Sequence, residues 1–129
     1  MSEKTQENLD NLVVEGLNPE KGELDLRERE LDDDDIKLIV NSDKIKGVTA
    51  LFLEYNEIGD EGLQAVLDSE KFKHLTALNM FKNQVSDLGV KEMAKSKTLL
   101  NLSELVMSDN KIGVEGAIAL SESKTLSNL

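Results

Sequence analysis

The sequence predicts an α/β fold made of like units stacked on one another, with strands paired in parallel on one face and helices on the other. Two observations predict it. The first is a fixed period. Leu24, Leu51, Leu78 and Leu105 stand 27 residues apart. The second is a change of hydrophobic period within each unit, from the two of a strand to the spacing of a helix.

The period runs through the whole unit. Leu26, Leu53, Met80 and Met107 share one position, and Arg29, Asn56, Asn83 and Asn110 another. Then come Leu31, Ile58, Val85 and Ile112, followed by Asp35, Gly62, Gly89 and Gly116. Ser42, Ser69, Ser96 and Ser123 also recur, and each unit closes with an apolar pair such as Phe72 and Leu75.

Each unit opens with alternation, as in Leu51-Phe52-Leu53-Glu54. That is a strand with one buried side. The stripes Leu63, Val66, Leu67 and Val90, Met93, Ala94 then mark a short amphipathic helix. Asp60 and Asp87 precede these stripes and suit the helix N-cap, where a carboxylate accepts from free N–H groups. Gly62 and Gly89 suggest close approach to the neighbouring unit. The recurring serines are expected to end the helices. A single unit cannot bury its own stripe, and stacking gives each one a floor and a ceiling.

The ends differ. Leu9, Leu12 and Val13 repeat the helix stripe one period before the first unit, so residues 5–15 are expected to form a capping helix. Gly16 to Gly22, with Pro19, then reads as the turn into the first strand. At the other end, Leu126 and Leu129 lead toward a further strand, and no polar cap is evident. Either further repeats or a second chain would cover that face, since an uncovered strand edge invites association. The organisation is thus a cap and turn over 1–23 and four repeats, 24–50, 51–77, 78–104 and 105–129.

The segments Val48-x-x-Leu51-x-Leu53-x-x-Asn56-x-Ile58, Leu75-x-x-Leu78-x-Met80-x-x-Asn83-x-Val85 and Leu102-x-x-Leu105-x-Met107-x-x-Asn110-x-Ile112 resemble the leucine-rich repeat. The long unit and the Asp-x-Gly after the Asn resemble its ribonuclease-inhibitor-like subfamily. The resemblance covers residues 24–129. It implies a solenoid, a short right-handed horseshoe with strands on the concave face and helices on the convex face. It also implies that Asn56, Asn83 and Asn110 are structural, bonding to backbone in the turn after each strand. The first unit departs, with Arg29 and Asp35 at the Asn and Gly positions, and is expected to be shaped as an end.

Composition narrows the function. The chain has 129 residues and carries 26 acidic against 15 basic side chains, a formal charge of -11. Such a surface repels nucleic acid and anionic membranes, and suits a protein with a basic surface. The excess is concentrated: residues 1–50 hold 14 acids and 7 bases, the remainder 12 and 8. No cysteine is present, which excludes disulfides and thiolate chemistry. No basic-then-apolar leader begins the sequence, so a cytoplasmic location is expected; a specialised secretion route would leave no trace.

No chemistry-bearing motif emerges. One histidine, His74, cannot build a zinc site and reads as a solvated loop residue. Asp32 to Asp35 lack the alternating ligands of a calcium loop and instead suit the positive end of a helix, with Asp33 at the position of Asp60 and Asp87. Gly59-Asp60-Glu61-Gly62 has no Lys-Ser/Thr for a phosphate. No metal, cofactor or catalytic set is expected, and the chain is read as a non-enzyme.

What remains is the outward side of the strands. Alternation turns out Asp25 and Arg27, Phe52 and Glu54, Asn79 and Phe81, Val106 and Ser108, with Tyr55, Lys82 and Asp109 at the strand ends. Of four aromatics, Phe72 falls in a core slot; Phe52, Tyr55 and Phe81 fall on the outward face of adjacent strands. Phe52 and Phe81 are expected to share one patch, with Val106 beside them. Aromatics favour binding hot spots, although the same rings also cover one another in proteins that bind nothing. The residues expected to bind a partner are Phe52, Glu54, Tyr55, Asn79, Phe81, Lys82, Val106 and Ser108. Two other roles fit the same fold. One is regulation of an enzyme such as a small GTPase, separable by a nucleotide-hydrolysis assay, although the only arginines are Arg27 and Arg29. The other is a structural unit that self-associates through its uncapped C-terminal end.

Overall fold

Strands in chain order form a single sheet in the computed structural model, which describes residues 4–129. They are β1 (Leu17–Asn18), β2 (Glu23–Asp25), β3 (Ala50–Phe52), β4 (Ala77–Asn79) and β5 (Glu104–Val106). β2 to β5 pair in parallel, Leu24 opposite Leu51, Leu51 opposite Leu78 and Leu78 opposite Leu105. The register therefore follows the sequence period. Helices α1 (Gln6–Gly16), α2 (Asp33–Ile39), α3 (Asp60–Leu67), α4 (Asp87–Ala94) and α5 (Val114–Ser121) pack successively as a second layer.

The core lies between the layers. Leu24, Leu51 and Leu78 from the strands, Ile36, Leu63 and Val90 from the helices, and Phe72 and Leu99 from two short 3-10 turns are essentially inaccessible to water. Ser69 and Ser96 close the helices, as their recurrence suggested, their N–H groups donating to Val66 O and Met93 O in the last turns, both at 3.1 Å. They start the 3-10 turns, accepting from the backbone N–H of Lys71 and Thr98.

Asp60 and Asp87 do not cap their own helices. Each is the first helical residue, after Gly59 and Ser86. Their carboxylates reach forward into the next unit. Asp33 Oδ1 accepts from the N–H of Gly59 at 2.7 Å and of Gly62 at 3.0 Å. Asp60 accepts from Ser86 N–H at 2.8 Å, and Asp87 from Gly113 at 2.7 Å and Gly116 at 3.1 Å. This carboxylate explains the glycines: a Cβ on Gly62, Gly89 or Gly116 would stand 2.6, 2.3 or 2.5 Å from the preceding unit's aspartate oxygen. At the opposite helix ends, carbonyls of Val40, Leu67 and Ala94 accept from Lys71, Thr98 and Ser123 of the following unit. Each helix thus satisfies part of its exposed backbone with side chains from its neighbours.

The first unit lacks a preceding aspartate, and its geometry differs accordingly. Asp32 caps α2, accepting from Asp35 N–H at 3.0 Å, while Asp35 accepts from Asp32 N–H at 2.9 Å. This reciprocal box holds the Asp32 carboxyl below its ordinary value, mainly through the Asp35 amide. Asp35 is buried where later units need glycine, and it accepts from Lys4 Nζ at 2.8 Å. α1 covers this unit with Leu9 and Val13, both fully buried, while Leu12 is half-buried. The expected turn over 16–22 contains β1, which pairs antiparallel with β2, Leu17 opposite Leu24. Gly16 permits that join, since a Cβ there would lie 2.1 Å from Asp25 O.

Candidate functional site

The strand side opposite the helices carries the outward residues in rows set by the register. Asp25, Phe52, Asn79 and Val106 form one row. Arg27, Glu54, Phe81 and Ser108 follow two residues later, and Glu28, Tyr55, Lys82 and Asp109 one further on. That last row adopts left-handed backbone, with φ between 55° and 59°. Left-handed geometry is uncommon for residues other than glycine and costs strain. It ends each strand, and in the last three units turns the chain toward the asparagine that follows, a recurrence invisible in residue identities that share no chemical type.

Those asparagines fix the rows. Asn56 Oδ1 accepts from Arg29 and Leu31 N–H, at 3.1 and 3.0 Å, while its amide donates to Leu26 O and Leu53 O, both at 2.9 Å. Asn83 bonds Ile58 N–H at 3.0 Å and Leu53 O at 2.9 Å; Asn110 bonds Val85 N–H at 2.9 Å and Met80 O at 2.8 Å. Each side chain joins its own turn to that of the preceding unit.

None of the eight outward candidates enters the core. Phe52, Glu54, Asn79 and Phe81 are half-buried; Tyr55, Lys82, Val106 and Ser108 are exposed. The structure brings together Tyr55, Phe81 and Lys82. The Tyr55 and Phe81 rings meet edge to face, with centroids 5.3 Å apart and planes at 80°, and Lys82 Nζ stands 5.9 Å from the Tyr55 centroid. The ring that packs on Phe81 is therefore Tyr55, not Phe52. The reason is local: the Tyr55 N–H donates to Phe81 O at 3.0 Å, so the left-handed residue sits against the next strand. Phe52 instead lines a depression of about 260 Å³ with Glu23, Asp25, Arg27, Glu54 and Asn79.

A wider groove of about 1180 Å³ lies at the N-terminal end of this face, between the hairpin β1–β2 and the ends of β2 and β3. Its acids are Glu15, Glu20, Glu23, Asp25, Glu28 and Glu54, and it contains both arginines of the chain. Arg27 is forked onto Asp25, with Nε and Nη2 at 2.9 and 2.8 Å from its two oxygens. That fork holds the Asp25 carboxyl below its ordinary value. Arg29 lies 3.7 Å from Glu15. Glu54 is pushed the other way by burial, its carboxyl raised above 4.5. Its Oε1 is fully buried without a hydrogen-bond partner, and its Oε2 lies 4.0 Å from Arg27. The sequence shows the acidic excess of residues 1–50 but not this groove, because the hairpin that forms one wall carries only turn signals in Gly16, Pro19 and Gly22.

His74 is exposed, and no set of three or more His, Asp or Glu able to hold a metal exists among the described residues. No helix among them is long and apolar enough to cross a membrane.

Comparison with known proteins bears on the fold. A family model described as Leucine Rich repeat matches residues 48–67, 73–94 and 98–121, together about half of the chain. No curated protein matches. Among solved structures, the Chaetomium Mex67:Mtr2 subunits superpose with a TM-score of 0.67 at 17% identity, covering 91% of this chain and 83% of that one. The actin-binding site 2 of leiomodin-1 superposes with a TM-score of 0.52, also at 17% identity, covering 95% of this chain and 86% of that one. At such identity the likeness is one of fold. With three matched repeats, a parallel sheet whose register follows the sequence period, and asparagines joining unit to unit, this chain belongs to the leucine-rich-repeat family.

Proposed function

We propose that the chain is a protein-interaction module that takes its partner on the strand face. Leucine-rich repeats generally mediate protein–protein interaction. In this reading the units belong to the ribonuclease-inhibitor-like class and curve as a horseshoe, so that the strand face is concave. Phe52, Glu54, Tyr55, Asn79, Phe81, Lys82, Val106 and Ser108 make the contact, and the partner presents a basic surface to this acidic chain.

The observation that carries the reading is the Tyr55–Phe81–Lys82 cluster. Core packing does not require it: Tyr55 is 48% exposed, and its ring rests on another outward ring. Exposed aromatics rimmed by charge are the usual anchors of interfaces. Affinity capture with the wild type, Phe52→Glu and Phe81→Glu tests it. Both variants should keep the wild-type circular dichroism and lose the partner. Capture of the same partner by both variants removes this surface.

A second reading, self-association through the C-terminal end, is favoured by one observation. β5 is the last strand of the sheet, and Val106 on it, Val114 and Ile118 of α5, and Leu129 are exposed. Sedimentation velocity at high concentration tests it, and a monomer there rejects it.

A further inference from the structure

We propose that the groove at the N-terminal end of the strand face receives an extended, arginine- or lysine-bearing segment of a partner protein, with one cationic group seated on Glu54. The proposal rests on the strand-face reading above and names the chemistry of the partner.

Charge complementarity argues for this occupant. Six carboxylates line the groove against two guanidiniums, and both guanidiniums are already engaged, Arg27 by Asp25 and Arg29 by Glu15. Glu20, Glu23 and Glu28 form no salt bridge among the described residues, and with six carboxylates against two guanidiniums the groove carries net negative charge. Glu54 supplies a specific seat. It lines both depressions, its side chain is only 13% exposed, and Oε1 accepts from nothing. A carboxyl this withdrawn from water gives charged N–H donors a stronger interaction than the exposed acids of the groove do. A guanidinium or ammonium offers such donors with the right charge, and the half-exposed Tyr55 ring at the rim suits the flat face of a guanidinium.

Size and layout favour a peptide over a small ion. The volume exceeds the roughly 300–1,000 Å³ of typical small-molecule sites. The acids spread from the hairpin at Glu20 across β2 to Glu54 after β3, two strand spacings or roughly 10 Å. A point cation cannot touch them together, whereas alternate side chains of an extended segment can.

The test is fluorescence anisotropy with a labelled nine-residue peptide of repeated Arg-Gly-Ser, beside a matched Glu-Gly-Ser peptide. The wild type should bind the first saturably and the second not at all. Glu20→Lys, on the exposed hairpin turn, should weaken binding at least tenfold. The near-isosteric Glu54→Gln should weaken it at least threefold. Glu122→Lys, which makes the same charge change at the far end of α5, should change it less than twofold. Equal losses from Glu20→Lys and Glu122→Lys would mean attraction to net charge alone and overturn the proposal, as would competition by spermidine as effective as by unlabelled peptide. If Phe81→Glu abolishes partner capture while the basic peptide never binds, the groove assignment falls and the strand-face reading stands. If the peptide binds as described but capture survives Phe52→Glu and Phe81→Glu, the groove stands and the wider face falls.

Discussion

The two ends of the stack carry the same repeat positions in opposite states. At the N-terminal end Leu24, Leu26 and Leu31 are at most 1% exposed, because α1 and the β1 hairpin cover them. At the C-terminal end their counterparts Leu105, Met107 and Ile112 are only partly buried. The amide network changes in step. N–H groups of Leu26, Leu53 and Met80 donate to Phe52 O, Asn79 O and Val106 O of the next unit. The equivalent N–H of Met107 has no acceptor among the described residues. Even the helix link stops: Asp33, Asp60 and Asp87 reach forward, but the same position in α5 is Val114, 75% exposed. Burial here belongs to the junction between units rather than to any unit alone.

Paired substitutions sharpen this contrast. The largest expected effect is in the leucine row. Leu51→Ala, in the middle of the stack, should cost about 2–5 kcal/mol in urea denaturation, whereas Leu105→Ala should cost about half that or less because water already reaches it. Equal losses would mean that the last unit is as well packed as the second.

The helix links should give a smaller difference. Asp33→Ala removes the acceptor shared by Gly59 and Gly62 and should cost about 1 kcal/mol. Val114→Asp places a carboxylate at an exposed position, so the stability of residues 1–129 should stay within about 0.5 kcal/mol of wild type.

The smallest effect concerns Glu54 at the groove. Its carboxyl is raised above 4.5 in the fold, so the neutral form is the one the fold favours. That contribution is fully present below pH 4.5 and is lost as pH rises through the raised folded value. Glu54→Gln should therefore raise the urea midpoint slightly at neutral pH and leave it unchanged below pH 4.5. A drop at neutral pH would mean that the carboxylate is compensated in the fold.

The fold was legible in the sequence because stacking repeats the same environment. Leu24, Leu51, Leu78 and Leu105 answer to one another across the sheet, so one period revealed both strand and register. What escaped were features that cross from unit to unit or break the pattern. Asp60 and Asp87 stand where a cap to their own helix would stand in sequence, while their partners lie 26 positions on. Tyr55 was placed on the outward side, but its packing on Phe81 depends on a left-handed backbone that Glu28, Tyr55, Lys82 and Asp109 share without sharing chemistry. The groove needs the hairpin beside the end of α1, and the hairpin has no counterpart in the repeat.

Hydrogen exchange at one repeat position tests the central claim, that burial belongs to the junctions between units. In dilute protein the amides of Leu26, Leu53 and Met80 should exchange slowly, and that of Met107 orders of magnitude faster. Protection of Met107 equal to that of Met80 would show its edge covered and contradict the account.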